Sequence, residues 1–234
     1  MRAKTNSQIK HKRGITMAEK NELKNIMKNN NIWILTTIND ETTSGLIQQL
    51  TEYINSIKKV SLPCKIYAPY ETIPSTTPVL NMYINSCGGK TLVLQSILSM
   101  FHQASAMGAI IKTHNIARAD SSASMIAVSG TKGYRYMAED AYNTIHFGNI
   151  GSNINHINEI EFSKKYMKNW YTKTQNLYLR TTNLTKKELN KYYNVEQSGF
   201  LTAEQCLEKG ICDWVITNDD RWVNCVSELK NKAR

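Results

Sequence analysis

Hydrophobic positions along the chain alternate between strand-like runs and helix-like stripes. The first strong strand run covers residues 32–38, and an apolar stripe with helical spacing follows it. A second strand run, residues 79–85, ends at Gly88-Gly89 and leads into another apolar helix. A strand, a glycine corner, a helix and a further strand predict a βαβ unit with a right-handed crossover. The pattern therefore indicates an α/β fold.

Residues 110–146 combine this pattern with candidate chemistry. A strand runs into a corner of small residues, a helix and two further strands follow, and Ser121 stands at the corner. The first N–H groups of a helix have no partner inside it, so they are available beside this serine. His146 ends the last strand, from which it can turn back towards Ser121. A nucleophile, a base and unpaired N–H groups are the parts that acyl transfer needs.

Two other serines compete with Ser121 for the role of nucleophile. Ser105 precedes a strand instead of following one, which indicates a helix end stopped by Gly108. Ser124 would lie one turn inside the helix and would shorten the interval to His146 by three residues. Ser121 is therefore the preferred candidate.

A long amphipathic helix is predicted over about residues 154–182. Trp170 and Leu177 belong to its apolar stripe, and lysines occupy its other faces. Because this helix is too long to lie on a small sheet, we expect it to project from the body and pack against a second copy of the chain. Aspartate at Trp170 and Leu177 would then break the assembly.

The 234 residues fit one α/β domain with two appendages. We predict a basic arm over 1–30, a domain over 31–217 and a tail over 218–234. The arm holds much of the net charge of +10 and is interpreted as a solvated, flexible segment. A nucleic-acid arm, an organelle transit segment and a docking tail are the alternatives, although no nucleic-acid-binding motif supports the first.

Composition excludes several classes of protein. No apolar run approaches the roughly 18 residues of a membrane span. The five cysteines match no metal or redox spacing, and the histidines form no ligand pattern. We therefore expect a cytoplasmic protein with reduced thiols, without a cofactor or metal, and without a membrane or nucleic acid as partner.

Four sequence patterns, spread over roughly residues 31–217, resemble the proteolytic subunit of the Clp protease (ClpP). Residues 83–89 are similar to that family's YINSPGG, and the interval from Ser121 to His146 matches its Ser-to-His interval without a gap. The strand ending at His146 and the segment 200–213 supply the other two patterns. The resemblance implies the ClpP/crotonase fold of repeated β-β-α units with a projecting handle helix. It also implies a homo-oligomer of stacked heptameric rings, an AAA+ unfoldase as partner and unfolded polypeptides as substrates.

The resemblance also implies roles for individual residues. Ser121 would attack the peptide carbonyl and His146 would accept its proton, while the N–H groups of Gly89 and Ser122 would hold the oxyanion. The chain departs from the family at three places. Ser122-Ala123 replaces the Met-Gly that follows the nucleophile, Cys87 replaces a proline, and Ser198 stands in the aspartate position. Glu196 and Asp140 are the nearby carboxylates that could substitute for that aspartate.

Three classes of function follow. The first is an active serine endopeptidase that works with an ATP-dependent unfoldase. The second is a catalytically impaired ring subunit that depends on active partner subunits, and Ser198 is its main support. The third is a crotonase-type acyl-CoA enzyme, which the spacing of serine and histidine disfavours.

The serine in the aspartate position predicts weak intrinsic activity. Ser198→Asp should raise peptide turnover by a factor of ten or more, about 1.4 kcal/mol of activation free energy, because a carboxylate stabilises the imidazolium. Glu196→Gln should be nearly silent if Ser198 is the partner of His146 and severe if Glu196 is. Steady-state hydrolysis of a peptide substrate measures both. If both variants leave turnover unchanged, neither residue orients the histidine.

Overall fold

The computed structural model describes residues 30–61, 65–146, 148, 157–193 and 199–230. Most of the basic arm, and also Glu196 and Ser198, lie outside the described residues. The described part of the chain contains eight strands, which are β1 (Asn31–Ile34), β2 (Val79–Ser86), β3 (Ile110–Asp120), β4 (Arg135–Ala138), β5 (Tyr142–Ile145), β6 (Gly199–Thr202), β7 (Trp214–Ile216) and β8 (Trp222–Val223). Its helices are α1 (Asp40–Ser56), α2 (Thr91–Ala106), α3 (Ser122–Val128), α4 (Ile157–Thr181), α5 (Lys186–Tyr192), α6 (Ala203–Glu208) and α7 (Val226–Lys230).

The strands form one mixed sheet in the order β1-β2-β3-β4-β7-β8. The first five strands of this order run parallel, and β8 returns antiparallel to β7. The long strand β3 divides its pairing, because its middle pairs with β4 while its end, from Arg118 to Asp120, pairs with β5. Strand β6 lies antiparallel to β5 on the far side. The division of β3 brings its end, and the corner that follows it, beside β5. The predicted α/β fold is confirmed.

A side-chain cap marks the beginning of helix α1. Asn39 accepts hydrogen bonds from the backbone N–H groups of Glu41 and Thr42, both at 2.9 Å, and so caps α1. Leu50 on α1 and Leu94 and Ile97 on α2 are fully buried. Each fully buried aliphatic side chain contributes about 1.5–3 kcal/mol relative to an exposed one. These helices are therefore held to the sheet chiefly by their apolar stripes.

The long helix α4 differs from the prediction in what its apolar stripe contacts. Trp170 and Leu177 are 6% and 9% exposed, so they belong to the protomer's own core. Tyr178 is fully buried, and its hydroxyl lies 2.8 Å from Ser124 Oγ. The prediction that Trp170 and Leu177 form a contact between copies is therefore wrong. An amphipathic stripe fixes which face of a helix is buried but does not identify the surface that covers it.

The beginning of α4, in contrast, leaves apolar side chains exposed. Phe162 is 73% exposed and Ile160 is 48% exposed, which leaves two large apolar side chains in water. Lys164 and Lys165 follow them and are also exposed. Among the residues of α4 whose burial the structure describes, those in the core thus lie in the second half of the helix.

A buried ion pair joins β4 to the segment before β7. Arg135 is 2% exposed, and its Nε and Nη2 donate to the two carboxylate oxygens of Asp213 at 2.8 and 2.5 Å. Arg135 Nη1 also donates to the Thr181 carbonyl at 2.6 Å, at the last residue of α4. Removing one partner of such a pair typically costs about 3–5 kcal/mol, because the other charge stays buried.

Aromatic rings from five strands form a continuous row on one face of the sheet. Neighbouring ring centroids lie 4.1 to 5.3 Å apart along the series Trp33, Tyr83, His114, Tyr136 and Trp222. Burial, together with the nearby Lys112 charge, lowers the pKa of His114 to about 4. The imidazole is therefore neutral near pH 7 and stacks as an uncharged ring.

Two local features differ from the sequence-based expectation. The first strand stops at Ile34, and only an isolated bridge pairs Ile38 with Gly89. Strand β8 lies in the segment predicted as a tail, so the sheet continues past residue 217. Among the described helices, none is both long enough and apolar enough to cross a membrane.

Candidate active site

Ser121 occupies a strained corner between β3 and α3. Its backbone has φ 55° and ψ −120°, a conformation that a residue with a side chain rarely adopts. Such strain costs about 1–3 kcal/mol and persists only where the surrounding structure enforces it. The Ser121 N–H donates to the Thr144 carbonyl of β5 at 2.9 Å, and the side chain makes no capping bond to α3. The hydroxyl is therefore not committed to the helix that follows it.

The glycine corner after β2 packs directly against Ser121. Gly88 has φ +84°, and a Cβ there would lie 2.7 Å from Ser121 Cβ and 2.9 Å from Ser122 N. Real Cβ atoms do not approach other heavy atoms so closely, so the corner has no room for a side chain at this residue. The backbone of the glycine corner and the start of α3 are thereby held in contact.

Gly89 is oriented by its bridge to Ile38. The Ile38 N–H donates to Gly88 O and the Lys90 N–H donates to Ile38 O, both at 2.8 Å. In a parallel bridge with this bonding, the peptide groups of Gly89 itself point away from Ile38. The Gly89 carbonyl accepts a hydrogen bond from Ser122 Oγ at 2.8 Å. Gly89 and Ser122, the two residues expected to supply N–H donors, are therefore in direct contact.

A buried serine that the sequence reasoning did not single out supports this corner. Ser86 is 2% exposed, accepts the Gly88 N–H at 3.1 Å and donates to the Thr36 carbonyl at 2.5 Å. Its position in the sequence, at a strand end and two residues before Gly88, could have indicated this role. The hydroxyl joins the two chain segments that form the glycine corner.

His146 follows β5 directly, and β5 contacts the Ser121 corner. The bond from Ser121 N to Thr144 O lies two residues before His146, a distance of about 7 Å along an extended chain. His146 is partly exposed. Ser198 and Glu196, predicted for the third position, lie outside the described residues.

The remaining sequence candidates lie away from this corner. Ser124 is fully buried, and its hydroxyl donates to Asn143 Oδ1 at 2.7 Å, so a substrate cannot reach it. Ser105 is near the end of α2, roughly 21 Å along the helix axis from the glycine corner. Asp140 precedes β5, whereas His146 follows it, and Asp140 accepts a hydrogen bond from Asn218 at 2.9 Å.

A groove of about 720 Å³ opens beside Gly89. Its apolar wall includes Ile38, Leu92 and Phe162, and the ion pair between Lys90 and Asp40 lies at its edge. The volume suits an extended segment with at least one large side chain. Within the described ranges, no group of three or more His, Cys, Asp or Glu residues is arranged to hold a metal ion.

The α/β fold thus brings the Ser121 corner, the glycine corner and the end of β5 together. The Clp protease family model matches residues 72–219, which is more than half of the chain. The ATP-dependent Clp protease proteolytic subunit 1 of Bifidobacterium longum (strain NCC 2705) is 29% identical over 135 residues, which are 58% of this chain and 56% of that protein. The chain belongs to the Clp protease family, although the match covers only a little over half the length of this curated relative.

The close packing at Gly88 leads to a testable prediction. Gly88→Ala should reduce labelling of Ser121 by a fluorophosphonate at least a hundredfold, because the added Cβ displaces the start of α3. Gly45→Ala is the matched control, since a Cβ there has open space within helix α1. It should leave labelling unchanged and stabilise the fold by about 0.5–1 kcal/mol. Equal labelling of both variants, measured by intact-protein mass spectrometry, would contradict the packing argument.

Proposed function

We propose that this chain is a serine endopeptidase subunit of the Clp type. The observation that carries the proposal is the strained Ser121 corner, which contacts the glycine corner on one side and β5 on the other. Family membership supports the same conclusion. Ser121 attacks the peptide carbonyl, and His146 accepts the hydroxyl proton and later donates it to the leaving amine.

The contact between Gly89 and Ser122 supports an oxyanion hole. The N–H groups of both residues bind the oxygen of the tetrahedral intermediate, where each donor contributes about 10²–10³ in turnover. Ser122 Oγ holds the Gly89 carbonyl at 2.8 Å, which fixes the orientation of that residue's peptide groups. The hydroxyl at position 122 thus acts on the geometry of the site without contacting the substrate.

The groove beside Gly89 supports binding of a polypeptide. Leu92, which is 67% exposed, offers an apolar surface to a substrate side chain next to the oxyanion donors. Unfolded polypeptides expose such side chains, whereas folded proteins bury them. We therefore propose unfolded chains as substrates, delivered by an AAA+ unfoldase into a chamber of stacked rings.

A catalytically impaired ring subunit is the second candidate, and Ser198 favours it. Ser198 is covalently joined to Gly199, which pairs with Ile145, the residue before His146. A serine there can accept a hydrogen bond but supplies no negative charge. In a serine-protease triad, neutralising the aspartate lowers turnover about 10⁴-fold. The two candidates differ in turnover number, not in the nucleophile.

The identity of the nucleophile is directly testable. A fluorophosphonate should modify Ser121, and Ser121→Ala should abolish both the labelling and peptide hydrolysis. Ser124→Ala is the control, because it removes a buried hydroxyl and should lower stability by about 1–3 kcal/mol while labelling persists. Peptide mapping of the labelled protein identifies the modified residue. Modification of Ser124, or full activity of Ser121→Ala, would refute the assignment.

The exposed beginning of α4 supports a contact between copies of the chain. Phe162 and Ile160 leave a substantial apolar area in water, which burial against a second copy would stabilise. This replaces Trp170 and Leu177 as the residues through which the assembly is proposed to form.

Replacement of Phe162 tests this contact. Phe162→Glu should shift the particle to a smaller species in light scattering, because a charge would be buried without a partner. Thr172→Glu adds the same charge at an exposed position in the second half of α4 and should leave the particle size unchanged. A wild-type monomer at micromolar concentration would refute assembly through this helix.

A further inference from the structure

The residue immediately before Ser121 is a buried aspartate with a free acceptor. Asp120 is 8% exposed. The Nε and Nη2 atoms of Arg118 both donate to its Oδ2, with Nε at 2.8 Å. Its other oxygen, Oδ1, is buried and has no hydrogen-bond partner among the described residues. A buried acceptor without a partner is unfavourable, because nothing replaces the hydrogen bonds that it made to water.

The carboxylate of Asp120 lies on a defined face of the sheet. Side chains two residues apart on a strand share a face, and the ion pair between Arg118 and Asp120 agrees with that rule. Asp120 pairs with Thr144, while Arg118 pairs with Tyr142 and lies over its ring at 5.8 Å. These four residues therefore share one face.

The opposite face of β5 is turned into the core. Asn143 accepts the Ser124 hydroxyl there, and Ile145 is fully buried. His146 continues the alternating series of Tyr142 and Thr144 on an extended chain, so it belongs to the face that carries Asp120.

The separation between Asp120 and His146 follows from strand geometry. Paired strands lie about 4.8 Å apart, and two residues advance about 6.6 Å along a strand. Because Asp120 pairs with Thr144, the Cα atoms of Asp120 and His146 are roughly 8 Å apart. Diagonal neighbours at this spacing are within reach of long side chains such as histidine. Hydrogen bonds between catalytic residues are also often long in a ligand-free protein and shorten when substrate binds.

We propose that Asp120 is a positioning residue for His146 and supplies the carboxylate that Ser198 does not. The proposal rests on the assignment of Ser121 and His146 as nucleophile and base. The proton of Ser121 Oγ moves to the imidazole nitrogen that faces it as Oγ bonds to the carbonyl carbon. The N–H of the other nitrogen donates to Asp120 Oδ1. Asp120 stays ionised throughout and stabilises the imidazolium.

The charged residues on this face determine the direction in which each substitution should shift the pKa of His146. Strand β3 contributes Arg118 and Asp120, and neither β5 nor β6 contributes a further charged side chain. The Asp120 carboxylate favours the protonated form of His146, whereas the Arg118 guanidinium disfavours it. Removing the carboxylate should therefore lower the pKa of His146, and removing the guanidinium should raise it.

The first test measures the protonation of His146 in the full chain. Carbon-13-labelled histidine gives an NMR titration, and His146→Gln identifies its signal. Asp120→Asn should lower the pKa of His146 by about one unit, a tenfold change in the protonation equilibrium. Arg118→Gln should raise it, which a purely structural role of the ion pair would not produce. An unchanged pKa of His146 in Asp120→Asn would overturn the proposal.

Asp219→Asn is the matched control for this measurement. Asp219 also forms an ion pair with an arginine two residues away, Arg221 at 3.0 Å, but on the turn between β7 and β8. Its neutralisation should leave the pKa of His146 unchanged. If Asp219→Asn shifts the pKa of His146 as much as Asp120→Asn does, the effect comes from net charge, and the specific coupling between Asp120 and His146 is overturned.

The second test separates this proposal from the peptidase assignment, and it uses two samples of the protein. Fluorophosphonate labelling of one sample checks Ser121 as the nucleophile, and peptide hydrolysis by the unlabelled sample gives kcat and KM. Asp120→Asn should lower kcat at least tenfold and leave KM unchanged. If Ser121 is labelled but neither kcat nor the pKa of His146 changes, the role of Asp120 is refuted and the peptidase assignment stands. If Ser121 stays unlabelled but the pKa shifts, the peptidase assignment fails and the coupling stands. Asp120→Ala is a second variant. If it abolishes activity, the pKa of His146 can still be measured by NMR.

Discussion

The lack of a side chain at Gly88 is the constraint on which the site depends. Any Cβ at that residue would meet Ser121 and the first N–H of α3, so the glycine corner and the helix start must pack as bare backbone. The positive φ of Ser121 is the other half of the same fit, since the chain turns there against β5. The strain at Ser121 is sustained by packing on both sides, as at a site whose geometry is fixed before substrate binds.

The sequence predicted the strands, helices and corners of the site better than it predicted which of them contact each other. Apolar runs predicted the strands, because this signal is local. The Gly-Gly corner and Ser121 were predicted together, since both stand at strand ends. The surface that covers the apolar stripe of α4 was not predicted, because the sequence alone does not distinguish packing of Trp170 on its own protomer from packing on a second copy. The pairing of β6 with β5 was also missed, since four residues carry little periodicity.

Three residues differ in how well they fit the third position of the site, that of the residue that orients His146. Asp140 is separated from His146 by the whole of β5 and bonds to Asn218. Ser198 precedes Gly199 in the sequence and is neutral, and it lies outside the described residues. Asp120 is charged, buried and on the same face as the residues that lead to His146. No motif could have indicated Asp120, because its relevance comes from a strand pairing and from an oxygen that Arg118 leaves unbound.

The row of stacked rings has an optical consequence. Trp33 on β1 and Trp222 on β8 lie at the two ends of the row, on the outer strands of the order that begins at β1 and ends at β8. Rings fixed at centroid distances of 4.1 to 5.3 Å give near-ultraviolet circular dichroism that vanishes when their packing loosens. Trp33 is 43% exposed whereas Tyr136 is 4% exposed, so the β1 end of the row reaches solvent while its centre stays buried. The near-ultraviolet signal of the row therefore reports whether the sheet is packed from β1 to β8.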